Sequence, residues 1–326
     1  MRPAFSVLFL TTLIGIGQGL LVALVAGQWY FVIGSGQSQE GSAFYALGAL
    51  LALAFLGLGL FASFFHLANP QRAWRSATRW RTSWLSREVL LLPAVMGIAA
   101  VYAAVQWFGL KPVLLTFSNQ KSLDLTMAVG FAAAGASLVL FIATGMIYAS
   151  IRFIREWASS WTVINFIALG LASGFTCGTL YAALYGSVLT DFMVAGALAF
   201  TVLALLTRGW QVWRNRRLKP RSTLKSAIGI RHEPIRQQTQ GFLGQSFNTT
   251  EFVAPGGADA VTGLTAVFVF LAFVLPVALL AGGWATGEKP FFIAAFAIQY
   301  AGLFAERWVF FAQGHHVQNL YYQARA

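Results

Sequence analysis

FFHLANPQRAWRSATRWRTSWLSREVL, residues 64–90, is the stretch from which the fold of this chain is read. A long apolar run ends at His66, and the next one opens at Glu88. Between them lies a short loop carrying Arg72, Arg75, Arg79, Arg81 and Arg87. An apolar run, a dense basic turn and a second apolar run are the pattern of two membrane spans joined at one membrane surface.

The rest of the chain agrees. Its 326 residues are 58% hydrophobic and only 10% charged, with a mean hydropathy of +0.67. Soluble domains carry about 25% charged residues, so the chain reads as an integral membrane protein. A bilayer core needs about 20 apolar residues in a helix. Eight runs qualify: 6–33, 44–67, 86–109, 124–150, 160–186, 189–209, 260–283 and 291–313. They lack the strict alternation of a barrel strand, so the expected fold is an all-α bundle of eight transmembrane helices. The first run is longer than a signal-peptide core of about 7–15 residues, and reads as a span. Gly186 to Asp191 leaves room only for a tight hairpin between the fifth and sixth. The single cysteine, Cys177, excludes a disulfide framework and an intrinsic iron–sulfur cluster, which needs about four thiolates. Eleven tryptophans and nine tyrosines suit interfacial belts.

The charges separate by side. The N-terminus, the loops after spans two, four and six, and the C-terminus carry 18 of the 22 basic residues. These are Arg2, the five loop arginines, Arg152, Arg155, Arg208, Arg214, Arg216, Arg217, Lys219, Arg221, Lys225, Arg231, Arg236 and Arg325. The opposite loops hold only Lys111, Lys121 and Lys289, and Arg307 lies within span eight. The bias places both termini in the cytoplasm. It also explains most of the net charge of +12 without nucleic acid. One long polar segment, 210–259, is expected as a cytoplasmic loop within a single anchor domain spanning 1–326. Gly15 and Gly19, and Gly170, Gly174 and Gly178, have the small-residue spacing of close helix seams.

The ionisable side chains near membrane depth are few. Of four histidines, His232 falls in the polar segment, while His66, His315 and His316 end spans two and eight on the same side. A haem relay across the bilayer needs ligands at both depths, and none lies at the outer ends, which leaves a single haem between His66 and His315 or His316 as the haem reading still open. No metal-ligand set, phosphate-binding loop or nucleophile motif is present. A histidine that ends a helix often only caps it. His66 and Glu88 together, however, suit a quinone, which takes up two protons with two electrons and is served by groups that titrate near neutral pH. Glu88 also fits a helix start, where the dipole favours an acid, and Arg87 beside it could hold it ionised or contact headgroups. Glu306 and Arg307 sit about two turns before His315. Charges at that depth need partners: an ion on another span, such as Glu88 or Arg87, is one reading, and a salt bridge that only fixes the packing register is the other. Asp124 and Asp191 are expected as helix N-caps.

At these residues the chain resembles the DmsC family, the membrane anchor subunits of complex iron–sulfur molybdoenzymes. The resemblance covers essentially the whole chain and is carried by HLANPQRAW (66–74), SWLSREV (83–89) and ERWVFFA (306–312), the last within AERWVFFAQGHHVQNLYY. It implies two partners: a catalytic subunit with a molybdenum bis(pyranopterin guanine dinucleotide) cofactor, and a ferredoxin-like subunit with iron–sulfur clusters. It implies an anchor without haem that houses the quinone site, ubiquinone or menaquinone, with the family's histidine and glutamate falling on His66 and Glu88. In the dimethyl sulfoxide reductase branch the catalytic subunits are exported. The five cytoplasmic arginines and the polar segment make this chain more similar to the SoeC-type anchors of cytoplasm-facing sulfite dehydrogenases.

The expected protein is therefore a multi-pass anchor in a bacterial inner membrane, with its catalytic partners on the cytoplasmic side. It passes electrons between a partner iron–sulfur subunit and quinone. His66, Arg87, Glu88, Arg307 and His315 are expected around the quinone, with His66 and Glu88 in the proton chemistry. Arg72, Arg75, Arg79 and Arg81 are expected to dock the partner. A dimethyl sulfoxide reductase anchor oxidising quinol is the alternative. A small-solute transporter fits less well, because carriers place polar groups at the midplane and these charges gather at one face.

Overall fold

The computed structural model describes residues 1–33, 40–116, 122–220, 222–230, 235 and 257–321. His232, Lys121, Arg221, Arg231, Arg236 and Arg325 lie outside them. The protein is helical: α1 (Phe5–Ile33), α2 (Ser42–Ser63), α3 (Trp84–Trp107), α4 (Leu125–Ala149), α5 (Ser160–Tyr185), α6 (Thr190–Arg216), α7 (Leu224–Ile228), α8 (Gly257–Val269), α9 (Leu275–Thr286) and α10 (Lys289–Ala312). A π-helical turn, Phe270–Val274, joins α8 to α9 as one span. Gln299 and Gly302 of α10 meet this turn: the Gln299 amide donates to the Ala272 carbonyl at 3.3 Å and to Thr201 at 3.1 Å. A π turn disturbs the usual carbonyl pairing and so leaves an acceptor for such a side chain.

Among the described residues seven helices are long and apolar enough to cross a membrane: α1 to α6 and the α8–α9 span. The eighth expected span coincides with α10, whose apolar run is interrupted by Gln299, Glu306 and Arg307. A short antiparallel hairpin, β1 (Val113–Thr116) and β2 (Ser122–Asp124), adds two strands that the apolar pattern does not announce. The expected polar segment 210–259 is still helical to Arg216, and is helical again in α7 and from Gly257.

Helix ends follow local chemistry. Ser83 caps α3, accepting from the Ser86 amide, and the Asp124 carboxylate caps α4, accepting from the Met127 amide at 2.8 Å. Asp191 is not a cap. It lies inside the first turn of α6 and accepts from the Trp284 indole at 3.0 Å. Gly186 ends α5 at φ +80°, which glycine adopts without strain, and makes the tight hairpin to α6.

The core forms around α1 and α5. Their apolar windows are 72% and 78% buried, against 28–39% for the other spans. A methyl group on Gly19 would strike the Gly170 carbonyl, and one on Gly174 the Gly19 backbone, so the two helices pack backbone to backbone. Elsewhere Leu50, Leu58, Phe61, Leu203 and Leu206 are exposed, an apolar perimeter suited to lipid. Contacts fix direction: Ile14 meets Gly59 and Leu24 meets Gly48, so α1 and α2 are antiparallel. Arg208 meets Glu306 and Thr201 meets Gln299, so α6 and α10 run parallel. The ends of α2, α4, α6 and α10 therefore share one face with the starts of α1, α3 and α5.

Candidate functional site

The decisive stretch folds at that face. After α2 come a single 3₁₀ turn, Phe64–His66, and a ten-residue 3₁₀ run, Pro70–Arg79, before α3 begins. Arg72, Arg75 and Arg79 are exposed on that run, and Arg81 is exposed in the turn after it. Each tryptophan of the stretch has an arginine over its ring: Arg75 on Trp74 at 5.7 Å, Arg81 on Trp80 at 5.3 Å, and Arg87 on Trp84 at 4.1 Å. The Trp-Arg spacings in RAWR, RWR and WLSR are the signal for these cation–π pairs. Arg87 does more than stack. Its guanidinium donates to the Trp80 and Arg81 carbonyls at 2.9 Å each, and so pins the loop back on α3. It is turned to the loop backbone, which is a different role from holding Glu88 ionised.

His66 is exposed at the end of its 3₁₀ turn. Glu88 is buried in the second turn of α3, about 6 Å from the helix start. The Thr144 hydroxyl of α4 donates to its Oε1 at 2.7 Å. No hydrogen bond or ion pair joins His66 to Glu88 among the described residues.

Glu306 and Arg307 find a partner that the charge count hides. Arg208 of α6 pairs with Glu306 at 2.6 Å, and Arg307 closes on the other carboxylate oxygen at 3.1 Å. Arg208 and Glu306 are almost completely buried, at 1% and 0% exposure. The expected partners, Glu88 and Arg87, are not in contact with Glu306. Arg208 wins because α6 and α10 run parallel and place the two charges at one depth. The polar contacts continue toward the shared face: Arg208 donates to Gln211 at 2.7 Å, Asn165 to the same oxygen at 2.8 Å, and Gln211 to Thr162 at 3.0 Å. Arg307 lies over the Phe166 ring at 4.0 Å.

The hydrogen-bond partner of Glu88 and one member of this triad meet at a small cavity. It has a volume of about 20 Å³, room for about one water, and lies among α1, α4, α5 and α10. Thr144 and Arg307 both line it, with Thr11, Thr12, Gln18 and Ser173. The Gln18 carbonyl oxygen is buried with no hydrogen-bond partner among the described residues. Tyr148 lies within electrostatic reach of both Glu88 and Arg307. Of the expected site residues, Glu88 and Arg307 are thus brought to one region, and Thr144, Gln18, Tyr148 and Arg208 join them unannounced.

His315 goes elsewhere. Its Nδ1 lies 2.8 Å from the Glu156 carboxylate in the α4–α5 loop. This contact holds the His315 imidazole above its ordinary range. Burial pushes the Glu156 carboxyl up, but the His315 contact outweighs it and leaves the group below the usual carboxylate range.

The chain is similar in sequence to known proteins over most of its length. The family model described as DMSO reductase anchor subunit (DmsC) matches residues 3–310. The C subunit of sulfite dehydrogenase from Allochromatium vinosum is 46% identical over 326 residues, the whole of both proteins. The C chain of anaerobic dimethyl sulfoxide reductase from Escherichia coli is 31% identical over 158 residues, 47% of this protein and 50% of that one. With an all-α build, membrane-length helices and a family match over nearly its full length, this protein is a membrane anchor subunit and belongs to the DmsC family.

Proposed function

We propose that the protein anchors a sulfite-oxidising molybdenum and iron–sulfur complex and carries its quinone site. The full-length identity of 46% to the C subunit of a sulfite dehydrogenase carries this reading. All eight helical runs cross the bacterial inner membrane, α10 among them, with Glu306 held between Arg208 and Arg307 inside the bundle rather than exposed to lipid. The basic bias of its loops supports a cytoplasmic His66–Glu88 face.

The exposed arginines Arg72, Arg75, Arg79 and Arg81 receive the iron–sulfur subunit, whose cluster delivers electrons one at a time. A quinone approaches from the bilayer beside α2 and α3. Its reduction consumes two electrons and two protons. His66 donates a hydrogen bond to one carbonyl oxygen. Glu88 stands in the proton path, oriented by the Thr144 hydroxyl, which fixes one of its oxygens and leaves the other for exchange. Arg87 contributes by holding the loop that carries the docking arginines against α3. The molybdenum cofactor and iron–sulfur clusters belong to the partner subunits and supply sulfite oxidation and electron transfer there.

The reading is tested by assaying the purified three-subunit complex with sulfite and a short-chain ubiquinone. Sulfite-dependent quinone reduction is expected. A complex that instead oxidises quinol with dimethyl sulfoxide, or reduces a dye but no quinone, would overturn it.

A further inference from the structure

A second cavity, of about 630 Å³, opens on the same face of the bundle where the α4–α5 loop, the end of α6 and the segment after α10 meet. That volume is in the range of small-molecule pockets, about 300–1,000 Å³. Arg155 and Lys219 line it, with Asn215 and Ser222. The Arg155 guanidinium donates to the Lys219 carbonyl, which fixes the two residues side by side. Among the described residues no carboxylate pairs with either cation. The one acid in the wall, Glu156, is engaged by His315 at 2.8 Å. Arg214, whose guanidinium reaches the Arg155 carbonyl at 3.4 Å, adds positive charge behind the wall. Besides His315 and His316, the rest of the wall is apolar, with Leu218, Leu224 and Val317 among it.

The cavity also lies at a defined membrane level. Trp210 and Trp213 are exposed on the last turns of α6, and Arg217 covers the Trp213 ring at 4.0 Å. Exposed tryptophans mark the headgroup layer, and the cavity begins at Asn215, within about half a turn of Trp213. Unneutralised cations above an apolar wall at headgroup level are the chemistry of a lipid phosphate site.

We propose that this cavity binds the phosphate of an anionic phospholipid. Arg155 and Lys219 face the phosphate, and Leu218, Leu224 and Val317 pack on the glycerol and first methylenes. The test is native mass spectrometry of the full-length protein in detergent, titrated with phosphatidylglycerol or phosphatidylcholine. Wild type is expected to prefer phosphatidylglycerol, and Lys219→Gln to weaken that binding about fivefold, the effect of one cation near a membrane surface. Arg217→Gln removes the same charge outside the cavity and is expected to change it less than about twofold. Both positions are exposed, and unchanged melting in phosphatidylcholine verifies folding. Competition by glycerol phosphate as strong as by the lipid would assign the site to a soluble phosphoester and overturn the lipid reading. Equal binding of the two lipids, or equal loss in both variants, would overturn the proposal. So would displacement of the lipid by a quinone analogue or by the iron–sulfur subunit.

Discussion

Removing the Glu306 charge should damage this protein more than removing Arg208, although the two form one ion pair. The triad holds two arginines and one glutamate, a formal +1. Glu306→Gln leaves two buried guanidinium groups facing each other with no anion, a formal +2. Arg208→Met leaves Glu306 with Arg307 at 3.1 Å, formally neutral. At 2.6 Å the Arg208–Glu306 attraction is about 6 kcal/mol gross at an effective dielectric constant of about 20. Desolvation offsets most of that, yet stripping one partner from a buried pair still costs about 3–5 kcal/mol. Glu306→Gln is expected to lose about that much. Arg208→Met, which keeps volume and leaves a neutral pair, is expected to lose about 1–2 kcal/mol, mainly the Gln211 contact. The assay is reversible unfolding of the purified protein in mixed micelles, followed by tryptophan fluorescence and circular dichroism. An Arg208→Met variant as unstable as Glu306→Gln would refute the charge argument.

Other outcomes follow from single contacts. Asp124→Ala should cost about 1 kcal/mol in the same assay, because its carboxylate caps α4 and also accepts from the Thr126 hydroxyl at 2.7 Å. Gly174→Ala should prevent accumulation of folded protein, since its methyl group meets the Gly19 backbone, while Gly97→Ala, with open space around it, should be neutral or slightly stabilising. The Glu156–His315 pair gives a pH signature. The His315 pKa is raised in the fold, so its contribution is complete below the unfolded value of about 6.5 and is lost as pH rises through the folded value. The Glu156 pKa is lowered, so its contribution is present above the unfolded carboxylate value and is lost as pH falls through the folded one. Glu156→Gln should abolish both limbs and bring the His315 imidazole resonance back to an ordinary titration.

The apolar runs made most of the fold legible, because a bilayer span demands length and composition that no soluble element imitates. The glycine seam was legible for the same reason: small residues at helical spacing leave backbones free to touch. The burial of Glu88 could be read from its position inside a span, but its orientation could not, since Thr144 lies far away in sequence. The depth of Arg208 was hidden. The stretch TRGWQVWRNR looks like the start of a polar segment, yet it continues α6 to Arg216 and carries Arg208 inside the bundle. His315 was grouped with His66 because both end spans on one side. The fold gives it to Glu156, whose loop cannot be placed from hydropathy. The Arg75–Trp74 and Arg81–Trp80 pairs were present as neighbouring letters, whereas Arg87 reaches Trp84 across one turn of α3.

The most direct measurement compares sulfite oxidation by complexes carrying wild-type, His66→Ala and Glu88→Gln anchors, with a short-chain ubiquinone and with a soluble dye as alternative acceptors. Each variant complex should assemble and keep its dye-linked rate, because sulfite oxidation resides in the partner subunits. The quinone-linked rate should fall by about 10²-fold or more, the contribution expected of a positioned proton donor or acceptor. Quinone-linked turnover that survives both substitutions at the wild-type rate would contradict a quinone site at His66 and Glu88.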